Sequence, residues 1–472
     1  MTGLVSRFAR SSLAYLIGTV FSKLTVFFLI PLYTRYISSA DYGYYDVTLA
    51  YLNLFTSVLF LDIWATVLRF MFDHSDKRGK YSAVSSGLVI LWGSFCLYGV
   101  CGVLLFCYCD IPYLGLLLLY GFAYCWQSFY TFVARGFGEN TLFAVSGMVN
   151  SFIMTAASVF FLAVLKLDYG SLYLAMLLGL IGQLLLLERK LALRHHVSWR
   201  CSCPQEIRAM LVFALPLCFN SLGYWFLTDY NRTVIFHKLS PEANGLFSLA
   251  GKFPLALLLV SLCFQLAWQE TAFAKRDASG TFYSKAGGFF LLSLFCCGSL
   301  WLSFVALVFP VLVDSAYAAA RSLIPLYMTA ILASIYNGFL GTIFTALKAT
   351  KFLFLSTLCA CIVNVVLLQT LLDSLGVIVA PLALASGYLT SSFLRFWRLK
   401  RTIRYGDWQR SSLAALALFG LSAYVFLQGT YEASGCVLLG QLALFFCLFR
   451  RKVFGLLAKV REVTYGNLQN YK

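Results

Sequence analysis

Apolar residues run through this chain in blocks of about twenty, the length a helix needs to cross the hydrocarbon core of a bilayer. Short polar links separate them. Fourteen such blocks are legible: 11–36, 44–70, 83–108, 113–134, 141–165, 170–187, 211–239, 244–268, 284–309, 322–346, 350–372, 377–396, 411–428 and 435–449. Each is predicted to be a membrane-spanning helix. The first block is too long for the core of a cleavable signal peptide, which spans about 7 to 15 residues, and is expected to remain as a span.

The basic residues fix a direction of threading. Of the 36 Lys and Arg, 29 fall on every second link and only five on the alternate ones, while Lys23 and Lys252 lie inside apolar blocks. Short loops rich in Lys and Arg stay in the cytoplasm, so both termini are expected there. The formal charge of +17 is therefore spread along one membrane face, which explains it without a nucleic-acid partner. Tyr33, Tyr36, Tyr42, Tyr44 and Tyr45 cluster at the far end of the first hairpin and read as an aromatic belt. The basic tail from Arg450 is suited to anionic lipid. Composition agrees with this reading: 61% of residues are hydrophobic and 12% charged, with a mean hydropathy of +0.81.

Most of the 15 cysteines sit within apolar blocks, where Cys behaves as a small apolar residue. His195, His196, Cys201 and Cys203 share one link but lack the pair spacing of a zinc module, so no metal site is predicted.

A displacement of 202 residues lays Ile37-Ser38 and Gly43-Tyr44-Tyr45 over Leu239-Ser240 and Gly245-Leu246-Phe247. Six spans separate the copies, which makes the repeat parallel, about an axis along the membrane normal. The predicted fold is an all-α polytopic membrane protein with two six-helix bundles and an added helix pair. Residues 1–188 form the first bundle, 189–210 a cytoplasmic linker, 211–404 the second bundle, 405–450 the extra pair and 451–472 the basic tail. Pro31, Pro216, Pro254, Pro325 and Pro381 fall within blocks, where proline is expected to kink a helix.

Charge inside a bilayer is costly and marks a partner, a wet cavity or a function. The candidates are Lys23, Arg69, Arg232 and Lys252 as a cationic cavity, with Asp62 and Asp229 as acids for coupling to a proton or sodium ion. Asp62, Thr66 and Arg69 are expected on one helical face by their i, i+4, i+7 spacing. Asp46 and Glu270 read as solvated residues near helix ends. The excess of basic groups suits phosphate or pyrophosphate.

Specific residues also carry a resemblance. Phe28 through Ser38, with Ala40-Asp41-Tyr42-Gly43, resembles the opening of bacterial polysaccharide biosynthesis proteins, the O-antigen and capsule repeat-unit flippases of the multidrug/oligosaccharidyl-lipid/polysaccharide superfamily. Ala214-Leu215-Pro216-Leu217, Asn220-Ser221-Leu222, Trp225, Glu242 through Gly245, Lys252-Phe253-Pro254 and Gln265 through Glu270 resemble that family's middle section. The resemblance implies a transporter in the bacterial inner membrane, without a cofactor, that moves an undecaprenyl-pyrophosphate-linked oligosaccharide by alternating access. It implies lipid-linked glycan as substrate and a polysaccharide polymerase as a candidate partner. The family commonly has an Asp-Arg pair where this chain has Asn231-Arg232, so Arg232 carries over and the acid does not.

An enzyme is disfavoured, since the outward links are short and contain neither paired carboxylates for acid and base work nor a nucleotide-binding Gly-rich loop. The alternatives that share the architecture are a cation-coupled drug or metabolite antiporter and a lipid II flippase.

Overall fold

The computed structural model describes residues 27–74, 76–197, 202–274, 280–347, 349–400, 409–429 and 431–444. Every one of the fourteen apolar blocks carries helix, the first being described only from residue 27 onward. The first half comprises α1 (Ile30–Tyr36), α2 (Ser39–Phe60), α3 (Ile63–Met71), α4 (Lys77–Tyr108), α5 (Leu114–Gly136), α6 (Asn140–Val159) and α7 (Gly170–Leu191). The second comprises α8 (Pro204–Thr228), α9 (Tyr230–Lys238), α10 (Pro241–Lys252), α11 (Leu255–Ala274), α12 (Gly280–Leu312), α13 (Ile324–Ala346), α14 (Thr350–Leu375) and α15 (Val379–Leu399). Two more follow, α16 (Gln409–Gln428) and α17 (431–444).

Among the described residues, seven helices are long and apolar enough to cross a membrane, or eight if α2 and α3 count as one bent span. Large apolar side chains such as Phe152, Val103 and Val311 remain exposed, as expected where the solvent is lipid. No strand occurs among the described residues. In hydrocarbon an unpaired backbone amide costs several kcal/mol, and helices satisfy every such group within the segment.

Within the first half α7 packs on α5 and α6, and α3 packs on α4 and α5. Within the second, α15 packs on α13 and α14, and α11 on α13. The main seam between the halves is α2 against α10. The sequence repeat meets itself there. Ser38 and Ser240, 202 residues apart, each cap a helix, accepting the amides of Asp41 and Ala243 at 3.1 Å. Gly43 and Gly245 then lie against each other so closely that a Cβ on Gly43 would overlap the Pro241 carbonyl oxygen, and one on Gly245 would overlap that of Ser39. Ser39 and Pro241 are again 202 residues apart, so the contact has the form of a local two-fold. Asn244 donates to the Gly43 carbonyl oxygen at 2.7 Å and ties the crossing.

Four of the five prolines stand where no helical hydrogen bond is lost, while Pro216 lies within α8. Pro31 and Pro325 stand at the first or second helical position, and Pro381 in the first turn of α15, where the missing N–H has no intrahelical partner to lose. Pro254 falls in the break between α10 and α11. One interruption needs no proline: α2 and α3 are bent by 47° at Leu61 and Asp62, whose φ values of 52° and 48° place two side-chain-bearing residues in the left-handed region. This break also resets the helical register. Thr66 and Arg69 keep their i, i+3 relation within α3, whereas Asp62 stands outside the helix in the left-handed region as its N-cap residue.

Candidate functional site

The polar centre of the molecule forms where α9 meets the α2–α10 seam. Arg232, on the first turn of α9, reaches two carboxylates: Asp46 of α2 at 3.4 Å and Asp229, the N-cap residue of its own helix, also at 3.4 Å. Lys252, at the end of α10, is close enough to interact electrostatically with Asp46, Arg232 and Asp229, yet forms no ion pair within 4 Å among the described residues. The ring of Tyr327 on α13 packs against Gly251 beside it.

The cluster holds two basic and two acidic groups. Its described members are therefore balanced, not electropositive as the sequence count suggested. The balance is incomplete at the level of atoms, because Asp46 Oδ2 and Arg232 Nε are buried without a hydrogen-bond partner. Unmade hydrogen bonds to buried charged atoms are costly and in native proteins call for an explanation such as a bound polar ligand.

Asp46 is the residue that sequence reasoning misjudged. Reading the span from Tyr44 placed it at a helix end and in water, whereas α2 starts at Ser39 and buries Asp46 to 3% exposure about two turns in. The signal was available in Ser38, whose side chain both caps the Asp41 amide and donates to the Asp41 carboxylate.

The other predicted residues lie elsewhere. Lys23 is outside the described residues. Arg69 pairs with Asp73 at the far end of α3, with more than half its side chain exposed, and so is not part of the cluster. Asp62 sits at the α2–α3 break and accepts a hydrogen bond from Ser221 of α8. The Glu270 side chain lies outside what is described. An apolar cavity of about 320 Å³ opens between α2, α4 and α5, lined by Leu52, Phe55, Leu105 and Leu117, with His237 of α9 at its edge.

Residues 8–268, more than half of the chain, match the polysaccharide biosynthesis protein family. The chain belongs to that family. No curated protein matches the sequence significantly. Among solved structures it is similar to "Lipid II flippase MurJ, inward closed conformation", with a TM-score of 0.70 at 15% identity over 92% of this chain and 98% of that one. It is also similar to an inward-facing multidrug resistance MATE family transporter of the MOP superfamily, with a TM-score of 0.64 at 12% identity over 85% and 95%. A third is a MOP superfamily transporter from Pyrococcus furiosus, with a TM-score of 0.58 at 14% identity over 87% and 95%. At these identities the likeness is one of fold.

Membership gives the Asn231 departure a physical meaning. Asn231 is fully buried and pairs amide to amide with Asn364 of α14, at 2.9 and 3.3 Å, while also donating to the Ala380 carbonyl oxygen at 3.2 Å. The position expected to hold the family's acid thus fastens α9 to α14 and α15. The acidic partners of Arg232 come instead from Asp46 and Asp229.

Arg395 is the second residue the sequence misplaced. The tally of Lys and Arg by link assigns it to the basic stretch at the end of the twelfth block, but α15 continues to Leu399 and buries Arg395 to 4% exposure. Its neighbour pattern is informative: Ser391 and Arg395, one turn apart, both face the polar atoms of Asn337 on α13.

Proposed function

We propose that this member of the polysaccharide biosynthesis protein family moves a lipid-linked oligosaccharide across the bacterial inner membrane, with both termini cytoplasmic, by alternating opening of its two halves. The observation that carries this reading is the half-buried Arg232–Lys252 cluster lying on the seam between the repeats of a chain from that family. Arg232 is held by two carboxylates, and a pyrophosphate on a polyprenyl carrier presents anionic oxygens of the same kind. An incoming pyrophosphate competes with Asp46 and Asp229 for Arg232, finds Lys252 without a paired carboxylate, and so loosens a contact that joins α2 to α9. The polyprenyl chain needs an apolar path, and the cavity between α2, α4 and α5 has that chemistry. Uptake of a proton or sodium ion at Asp62 or Asp229 would reset the cycle.

Lys252→Gln is the cleanest test, since it removes a charge without stripping a carboxylate of a partner within 4 Å. In cells that depend on this chain for surface glycan, export is expected to fall at least tenfold at unchanged membrane abundance, with lipid-linked glycan accumulating. Wild-type output at wild-type abundance would overturn the assignment.

The acids beside Arg232 favour a second reading, a cation-coupled antiporter for drugs or metabolites. The fold likeness to the lipid II flippase favours a third, in which the glycan is a peptidoglycan precursor. Drug efflux that requires Asp46, or rescue of a strain lacking its lipid II flippase, would select between them.

A further inference from the structure

Arg395 stands on the wall of a second cavity, of about 440 Å³, between α8, α13, α14 and α15. Its Nε donates to Ser356 Oγ at 2.8 Å, Nη1 to the Asn337 carbonyl oxygen at 2.7 Å, and Nη2 to Thr357 Oγ1 at 2.9 Å and the Leu353 carbonyl oxygen at 3.4 Å. All four acceptors are neutral. No carboxylate lies within 4 Å of this guanidinium among the described residues, so its charge is buried uncompensated.

A guanidinium has five N–H donors, and these bonds use four. The remaining one belongs to Nη1, beside Gly341 on the cavity wall, where the missing side chain leaves it uncovered: a Cβ there would stand 3.1 Å from Nη1. Thr342, Thr345, Thr357 and the Tyr224 ring also line the cavity.

Two further observations narrow the ligand. Arg395 is four residues from the end of α15, about 6 Å at 1.5 Å per residue, and so lies towards one end of a 21-residue helix and not at its middle. Arg398 continues the basic character at that end. The side chains flanking the opening are apolar and exposed, Phe354 at 63% and Leu358 at 43%.

We infer that this cavity binds the phosphate headgroup of an anionic lipid, held by Arg395 with its acyl or prenyl chain lying along Phe354 and Leu358. The site is separate from the Arg232 cluster and would exist whatever glycan the protein carries. Its phosphate has two sources, a bilayer phospholipid or a polyprenyl phosphate, and they share this chemistry.

The test measures the melting midpoint of the detergent-purified full chain with phosphatidylglycerol, undecaprenyl phosphate, phosphatidylcholine or undecaprenol added. The phosphate-bearing anionic lipids are expected to raise the midpoint by several degrees more than the zwitterionic and neutral ones. Arg395→Met should abolish that excess. If that variant does not fold, Gly341→Ala, which keeps the arginine and covers Nη1, should reduce it by more than half. A response to phosphatidylglycerol alone assigns the site to resident phospholipid, a response to undecaprenyl phosphate alone assigns it to a carrier lipid, and both together assign it to the headgroup. An excess that survives in either variant, or no excess in the wild type, overturns the inference and leaves Arg395 as a tie between three helices. Because the readout is binding and not export, it stands or falls apart from the transport assignment.

Discussion

The Gly43–Gly245 crossing supports a quantitative prediction. Adding one methyl group at Gly43 puts a carbon 2.8 Å from the Gly245 amide nitrogen and closer still to the Pro241 carbonyl oxygen, both backbone atoms that no rotamer change can move. The helices must part by roughly the overlap of a methyl and a carbonyl oxygen, on the order of 1 Å. Overpacking of this kind costs about 1–3 kcal/mol. Separation also stretches the 2.7 Å bond from Asn244 to the Gly43 carbonyl oxygen, adding about 1 kcal/mol, so Gly43→Ala should destabilise by about 2–4 kcal/mol.

An internal control is built into the same fold. Gly99, within α4, has nothing within 4 Å of an added Cβ, so Gly99→Ala should be neutral or stabilising by about 0.5–1 kcal/mol through helix propensity alone. Heat-induced unfolding of the purified protein, followed by Trp fluorescence, should rank Gly99→Ala at or above wild type and Gly43→Ala well below it. Gly245→Ala should behave like Gly43→Ala. The double variant should cost less than the two singles combined, because the first displacement already opens room for the second methyl. Equal midpoints for Gly43→Ala and Gly99→Ala, or strict additivity in the double variant, would refute the idea that the repeats meet at a backbone contact.

Three other outcomes follow from the polar contacts. Arg232→Gln leaves Asp46 and Asp229 buried without a cationic partner within 4 Å and should destabilise by about 3–5 kcal/mol, while Asp46→Asn in the same background should recover part of the loss; unfolding midpoints of the two variants measure this. Asn231→Asp, which restores the acid common in the family, removes the donor that holds Asn364 and Ala380 and buries a new charge, so the midpoint should drop by an amount equivalent to about 2–4 kcal/mol. Trp225→Phe keeps an aromatic ring, though a smaller one, and deletes the 2.8 Å bond from Nε1 to the Ala50 carbonyl oxygen, a contact joining α8 to α2, and should cost about 1–3 kcal/mol by the same measurement.

How far the sequence discloses this molecule depends on which force decides each feature. Span positions are legible because hydrocarbon demands some twenty apolar residues whatever their neighbours, so the fourteen blocks could be read one at a time. The repeat was legible only where its two copies are constrained by each other: a serine cap and a glycine at the crossing persist, while the residues between were free to diverge. Charge neutrality follows a different rule, being settled by partners far apart in the chain. Arg232 reads as surplus positive charge as long as Asp46, 186 positions earlier, is placed in solvent, and a difference of about five residues in one helix start is enough to make a balanced centre look electropositive. Arg395 shows the converse. Its neighbours Phe396 and Trp397 continue the apolar run, yet three basic residues soon after made it look like the start of a link, and only packing against Asn337 and Ser356 shows it to be interior. In a membrane chain, then, a charge near the end of an apolar block should be assigned to lipid interface or protein interior according to where the helix is capped, and Ser38 was the cap that would have decided it for Asp46.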